Sequence, residues 1–185
     1  MEPKQIESLL KTAIEAAIQA SHVLLDHLGE KNEALVIRAK HDGSPVSAAD
    51  LASHQVIETL LAETGIPRIC EEGYLPPFAE RKQWPLFWLI DPLDGTESYL
   101  RHRSGFAVNI ALCDANGPFL GLVADPLANV MYYGVLGLGA FQRTLDADSL
   151  ATAVVSRPLT KPYLLVTSWN EPLGLAELLP EHLSA

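Results

Sequence analysis

Asp91-Pro92-Leu93-Asp94-Gly95-Thr96 sets two carboxylates three residues apart at the end of the apolar run Trp84–Ile90. That run reads as a mostly buried strand, and Pro92 blocks both ladder pairing and helix interior. The sequence therefore predicts a turn at Pro92, with both acids at the strand's exit. Gly95 permits a tight backbone, and Thr96 with Glu97 can open a short helix whose free N–H groups face an anion. Carboxylates beside anion-binding amides point to a divalent metal and a phosphate, because Mg²⁺ is held by one or two carboxylates together with phosphate oxygens and water. Asp-Pro and Asp-Gly are also ordinary turn dipeptides, so on these six residues alone a plain structural turn stays open beside the metal site. Ala124-Asp125-Pro126-Leu127 is an internal control: it opens in the same way, lacks a second acid and a Gly-Thr, and reads as a turn.

The elements that must position these acids follow from periodicity. Apolar residues recur at threes and fours from Pro3 to Leu28, predicting an amphipathic helix that Gly29 ends, followed by a short strand at Leu35–Lys40. Residues 40–46 read as loop. Ser47 is placed to cap a second helix over Ala48–Ala62, with Asp50 in its first turn, where an acid ordinarily answers the helix dipole. After the break at Thr64–Pro67, Arg68–Cys70 reads as a brief strand ending in Glu71-Glu72-Gly73. If this strand neighbours the one before Asp91, Glu71 and Asp91 meet at their ends. Arg101-His102-Arg103 is the densest basic spot, either a phosphate contact or a solvated turn. Phe106–Leu112, Phe119–Ala124, Val130–Val135 and Gly139–Gln142 follow at hairpin spacing and predict an antiparallel meander. Two more strands are expected at Val154–Ser156 and Tyr163–Thr167, and a helical segment at Leu173–Leu179. The fold class expected is α+β, with two N-terminal helices packed on one face of a mostly antiparallel sheet.

Composition bounds the function. The 185 residues are 48% hydrophobic and 19% charged, enough for one compact core, and residues 1–185 are read as a single domain. A net charge of -10 argues against a nucleic-acid partner, whereas small anionic ligands remain open if metal ions supply the positive charge. Cys70 and Cys113 form neither a disulfide framework nor a zinc-ligand spacing, which favours a reducing cytoplasm. The sequence shows no secretory signal pattern and no apolar run of spanning length, so no transmembrane segment is expected.

Taken together, Lys40–Asp50, Glu71-Glu72 and Trp88–Thr96 resemble the inositol monophosphatase superfamily in order and spacing. Phe106–Leu112, Gly121–Val123 and Asn129–Tyr132 look most like its 3'(2'),5'-bisphosphate nucleotidase branch. The resemblance implies Mg²⁺-dependent, lithium-sensitive hydrolysis of a phosphate monoester on a small metabolite, with two or three Mg²⁺ ions. It implies that Asp91 bridges two ions, that Glu71 and the carbonyl of Leu93 complete the first, and that Asp94 holds the second. Thr96, oriented by Asp50, would position the attacking water, and Gly95, Thr96 and Arg101 would bind substrate. The substrate expected is 3'-phosphoadenosine 5'-phosphate. The alternatives are an inositol or sugar monophosphate, or a half-domain that binds metal or a partner without turnover. Two departures temper this reading. The family's later Trp-Asp motif, a ligand to the second metal, has no counterpart, so the C-terminal domain reads as absent and an apolar face as left for a homodimer or other partner to cover. Glu97 also stands where the nucleotidases carry a basic residue.

Overall fold

The stripe read in the first helix becomes the wall of the core. In the computed structural model, helix α1 (Pro3–Gly29) buries Leu9, Ala13, Ala16, Ala17, Ala20 and Leu24, and the alanines leave room for helix α2 (Ala48–Ala62) to pack against it through Ile57 and Leu61. The structure describes residues 1–29, 36–39, 45–103, 105–146 and 151–154. Met1–Val154 form one compact unit. Of the strand expected at Val154–Ser156, Val154 is described and is not in a strand; residues 155–156, the strand expected at 163–167 and the helix expected at 173–179 lie outside the described residues.

Strands β1 (Val36–Ala39) and β2 (Pro45–Ser47) pair antiparallel, so the stretch read as loop up to Val46 ends instead in a short strand. The main sheet follows chain order: β3 (Arg68–Cys70), β4 (Phe87–Asp94), β5 (Ala107–Asp114), β6 (Gly117–Asp125), β7 (Val130–Val135), β8 (Gly139–Thr144) and β9 (Thr152–Ala153). The β3–β4 pair is parallel, and every later pair is antiparallel. A single turn of helix, α3 (Phe78–Arg81), lies between β3 and β4, and α4 (Thr96–His102) follows β4. This is the expected α+β arrangement, with the N-terminal helices on a mostly antiparallel sheet. Among the described residues, no helix is long and apolar enough to cross a membrane.

Strand alternation assigns the two faces. Val108, Ile110, Leu112, Leu120, Leu122, Ala124 and Met131 are buried in the same core as the α1 and α2 residues. On the opposite face, Leu89, Ala111, Gly121, Val123 and Tyr132 line an open groove of about 830 Å³ that also includes Glu71, Asp91 and Asn109. Leu89, Val123 and Tyr132 are each 47% exposed, so this face of the sheet carries apolar side chains.

Tyr99 locks α4 to the core: it is fully buried, packs edge-on against Phe106, and donates from its hydroxyl to the Leu24 carbonyl at 2.8 Å. Tyr99→Phe keeps the packing and removes one buried hydrogen bond. Its expected cost is about 0.5–1.5 kcal/mol, read as a lower urea midpoint with an unchanged slope.

Candidate active site

The parallel pairing of β3 with β4 sets Cys70 opposite Ile90, and the Glu71 amide donates to the Ile90 carbonyl at 3.1 Å. Glu71 and Asp91 therefore leave neighbouring strands at the same level, and their side chains share a hydrogen bond. Burial, followed by that hydrogen bond and the charges of Glu71 and Asp94, pushes Asp91 up to about 7; the Leu93 amide, donating to Asp91 Oδ1 at 3.2 Å, pulls the other way. Carboxylates this close favour a shared proton, and a cation can take that proton's place.

Strand β4 does not end at Pro92, as the sequence reading expected; it runs on to Asp94. Asp91 pairs with Asn109 and Asp94 with Ala107, so β4 spends one more residue than β5 over this span. That extra residue is a bulge, one of the few places inside a sheet that accepts proline. The bulge also explains the spacing of the acids. Residues three apart on a regular strand point to opposite faces, and the inserted residue returns Asp94 to the face of Asp91. Asp94 Oδ2 accepts from Asn109 Nδ2 at 3.1 Å.

Asp50 has no room for a ligand role. It is 1% exposed, and its Oδ2 accepts from the Ser47 amide at 2.8 Å and from the Ser47 hydroxyl, completing the capping box of α2. Its other oxygen, Oδ1, faces Thr96 Oγ1 at 3.0 Å, and the Leu93 carbonyl lies 3.2 Å from the same hydroxyl. The Thr96 hydroxyl donates toward these two acceptors, which turns its hydrogen inward and leaves its lone pairs for another hydrogen. The expectation that an acid here serves the helix start holds, and its second oxygen reaches across to Thr96.

Gly95 sits at φ 87°, and a Cβ there would lie 2.6 Å from the Gly105 carbonyl oxygen. It turns the chain from the bulge into α4, whose first intrahelical bond runs from the Tyr99 amide to the Gly95 carbonyl at 2.9 Å. The first-turn amides ahead of that bond have no helical acceptor. Arg101 is not brought to the acids. It pairs with Glu97 at 3.0 Å on the exposed side of α4, the two side chains being 70% and 48% exposed. This pair partly offsets the negative charge that Glu97 places next to Thr96, although an exposed ion pair is screened.

Three residues that the sequence reading passed over hold the frame. Ser53 donates to the Pro92 carbonyl at 2.7 Å and so ties α2 to the bulge, and His54 Nδ1 lies 3.0 Å from Cys70 Sγ, tying α2 to the end of β3. With Asp50 they fall at i, i+3 and i+4, one face of α2, a spacing visible in the sequence. Asn109 is the third, and only the strand register reveals it. Burial pushes the Cys70 thiol up to about 12, so it is a neutral packing group at pH 7 and no nucleophile. The turn expected at Ala124–Leu127 falls at residues 126–129, because Ala124 and Asp125 end β6, and the Ala128 amide donates to Asp125 Oδ1 at 2.9 Å.

Among the described residues, no three His, Cys, Asp or Glu side chains form a group arranged to hold a metal ion. A hard cation of the Mg²⁺ type does not need three, since it keeps several waters and uses one or two carboxylates with carbonyl or phosphate oxygens. The oxygen-only donors, the hydrogen-bonded Glu71–Asp91 pair and the raised Asp91 fit such an ion and do not suit a thiophilic one.

Residues 5–172 match the inositol monophosphatase family, and the chain belongs to that family. It is 46% identical over 148 residues to the 3'(2'),5'-bisphosphate nucleotidase CysQ of Shigella flexneri, an alignment covering 77% of this chain and 57% of that protein. It is 37% identical over 136 residues to CysQ of Aggregatibacter actinomycetemcomitans, covering 72% and 49%. Among solved structures it superposes on CysQ from Bacteroides thetaiotaomicron, a bacterial member of the inositol monophosphatase family, with a TM-score of 0.64 at 30% identity, covering 83% of this chain and 53% of that one. The inositol monophosphatase of Anabaena gives a TM-score of 0.58 at 31% identity, covering 74% and 47%. The chain thus spans about half the length of the curated relatives it matches.

Proposed function

We propose that this chain carries the metal-binding half of a Mg²⁺-dependent phosphate monoester hydrolase acting on a 3'(2'),5'-bisphosphate nucleotide such as 3'-phosphoadenosine 5'-phosphate. The observation that carries the reading is the meeting of Glu71 and Asp91 at the ends of two parallel strands, with Asp94 returned to the same face by the bulge. The relatives named as bisphosphate nucleotidases support the substrate class.

In this proposal Glu71, Asp91 and the Leu93 carbonyl would hold one ion, and Asp91 with Asp94 would hold a second. Bound there, Mg²⁺ supplies charge to neutralise the phosphate and a water acidic enough to attack at neutral pH. Thr96, oriented by Asp50, accepts a hydrogen bond from the attacking water and so fixes its position. The amides that open α4 at Gly95 and Thr96 donate to the phosphate oxygens. Arg101 serves only if substrate draws it away from Glu97. The site has no need of a thiol or serine nucleophile, because positioning and charge neutralisation supply most of phosphoryl-transfer catalysis.

The test is phosphate release by the 185-residue chain with Mg²⁺, on 3'-phosphoadenosine 5'-phosphate against inositol and sugar monophosphates. Release from the nucleotide first, suppressed by Li⁺, is the expected result. Preference for an inositol or sugar phosphate would move the reading to the alternative substrate class. A second reading, binding without turnover, is favoured by the apolar groove beside the acids, which suits a covering chain. Mg²⁺ binding with no release from any substrate would select it.

A further inference from the structure

We infer that Asn109 is a positioning residue for the acid cluster: it orients the Asp94 carboxylate through Nδ2 and offers Oδ1 as the acceptor for a water of the bound divalent cation. This rests on the metal reading proposed above and gives a role to a residue that lies within Phe106–Leu112 but was not singled out there. Asn109 stands on β5 directly opposite Asp91, and its Nδ2 donates to Asp94 Oδ2 at 3.1 Å. The amide thus lies beside both carboxylates. Its orientation follows from chemistry, since turning the amide over would set Oδ1 against the Asp94 oxygen and repel it.

Fixing Nδ2 fixes Oδ1, because the amide is planar and rigid. Among the described residues, Asn109 Oδ1 is the one buried side-chain nitrogen or oxygen that has no hydrogen-bond partner. A buried acceptor without a donor is costly, and native proteins rarely keep one without a reason. The donor that belongs beside two carboxylates is a cation's own water, whose hydrogens are acidic and point away from the ion; Mg²⁺ retains several such waters. Asn109 then acts as the outer support of the site, in the way that hydrogen-bonded neighbours orient metal-binding carboxylates elsewhere.

Asn109→Leu tests this, because leucine keeps nearly the same shape and removes both polar atoms. The full chain is titrated with Mn²⁺ alone and binding is read by calorimetry, while unfolding in chelator reports the metal-free fold. We expect Mn²⁺ affinity to fall about 10-fold or more with metal-free stability unchanged or raised, since the orphaned acceptor is gone. Unchanged affinity would overturn the inference and leave Oδ1 to an ordinary structural water. A loss of metal-free stability alongside the loss of affinity would also overturn it, making Asn109 a structural residue. If the wild-type chain binds no Mn²⁺, the metal reading itself fails and Asn109's role falls with it; a wild-type chain that binds while the variant binds equally well sinks only the role of Asn109.

Discussion

Asp91→Asn is expected to lower kcat for metal-dependent phosphate release by at least about 10³-fold while leaving the fold intact. In the proposed site Asp91 would serve both ions, and asparagine keeps its shape while removing the charge. The substitution should also alter the metal-free protein, in a direction fixed by the shifted carboxyl. Asp91 is pushed up to about 7 in the fold, well above the ordinary carboxylate range. Between its ordinary range and about pH 7 the folded state holds more protons than the unfolded state, so the stability it contributes is present at low pH and is lost as pH rises toward 7. Urea unfolding in chelator at pH 5 and pH 8 should therefore show wild type weaker at pH 8, with a smaller difference in Asp91→Asn. Equal pH dependence in the two proteins would mean that the acids do not act on one another as the geometry indicates.

Gly95→Ala is expected to be the most damaging small substitution in the site. Two costs add there: the left-handed backbone at φ 87° disfavours any side chain, and the new Cβ would meet the Gly105 carbonyl oxygen at 2.6 Å, so backbone must move. Strain of about 1–2 kcal/mol and a forced shift of about 1–3 kcal/mol give an expected loss of about 2–5 kcal/mol in unfolding free energy. Gly65 is the control, with φ 66° and no atom within 4 Å of the added Cβ, so Gly65→Ala should show the backbone strain alone. Thr96 is carried by the same turn, and moving it by about an ångström should lower kcat about 10²-fold. If Gly95→Ala proves no worse than Gly65→Ala in either stability or turnover, the turn does not fix Thr96 as argued.

The two predictions also mark where the sequence was readable. Hydrophobic periodicity located the first helix, and short apolar runs at hairpin spacing located the β5–β8 meander, whose inward residues join the same core. Ser47 and Asp50 announced the start of α2 by cap chemistry, which is local. The meeting of Glu71 with Asp91 was conditional on two strands being neighbours, a tertiary fact that the register of Cys70 with Ile90 supplies. Pro92 was misread as a stop because propensity forbids proline in a regular strand, and the bulge that accepts it is defined only by the partner strand. Asn109 escaped notice for a similar reason: between Val108 and Ile110 it looks like the polar half of an alternation, and its importance comes from what lies across the ladder. Arg101, singled out because basic residues suit phosphate, is paired instead with the acid one helical turn away.

The central claim is that Glu71, Asp91 and Asp94 hold divalent cations on one face of the sheet. Anomalous diffraction from crystals of the chain grown with Mn²⁺ tests it most directly. The account predicts a peak within coordination distance of the Glu71 and Asp91 carboxylates and the Leu93 carbonyl, with a second, weaker peak between Asp91 and Asp94. Ordered acids with no peak beside them, or peaks only elsewhere on the molecule, would contradict it.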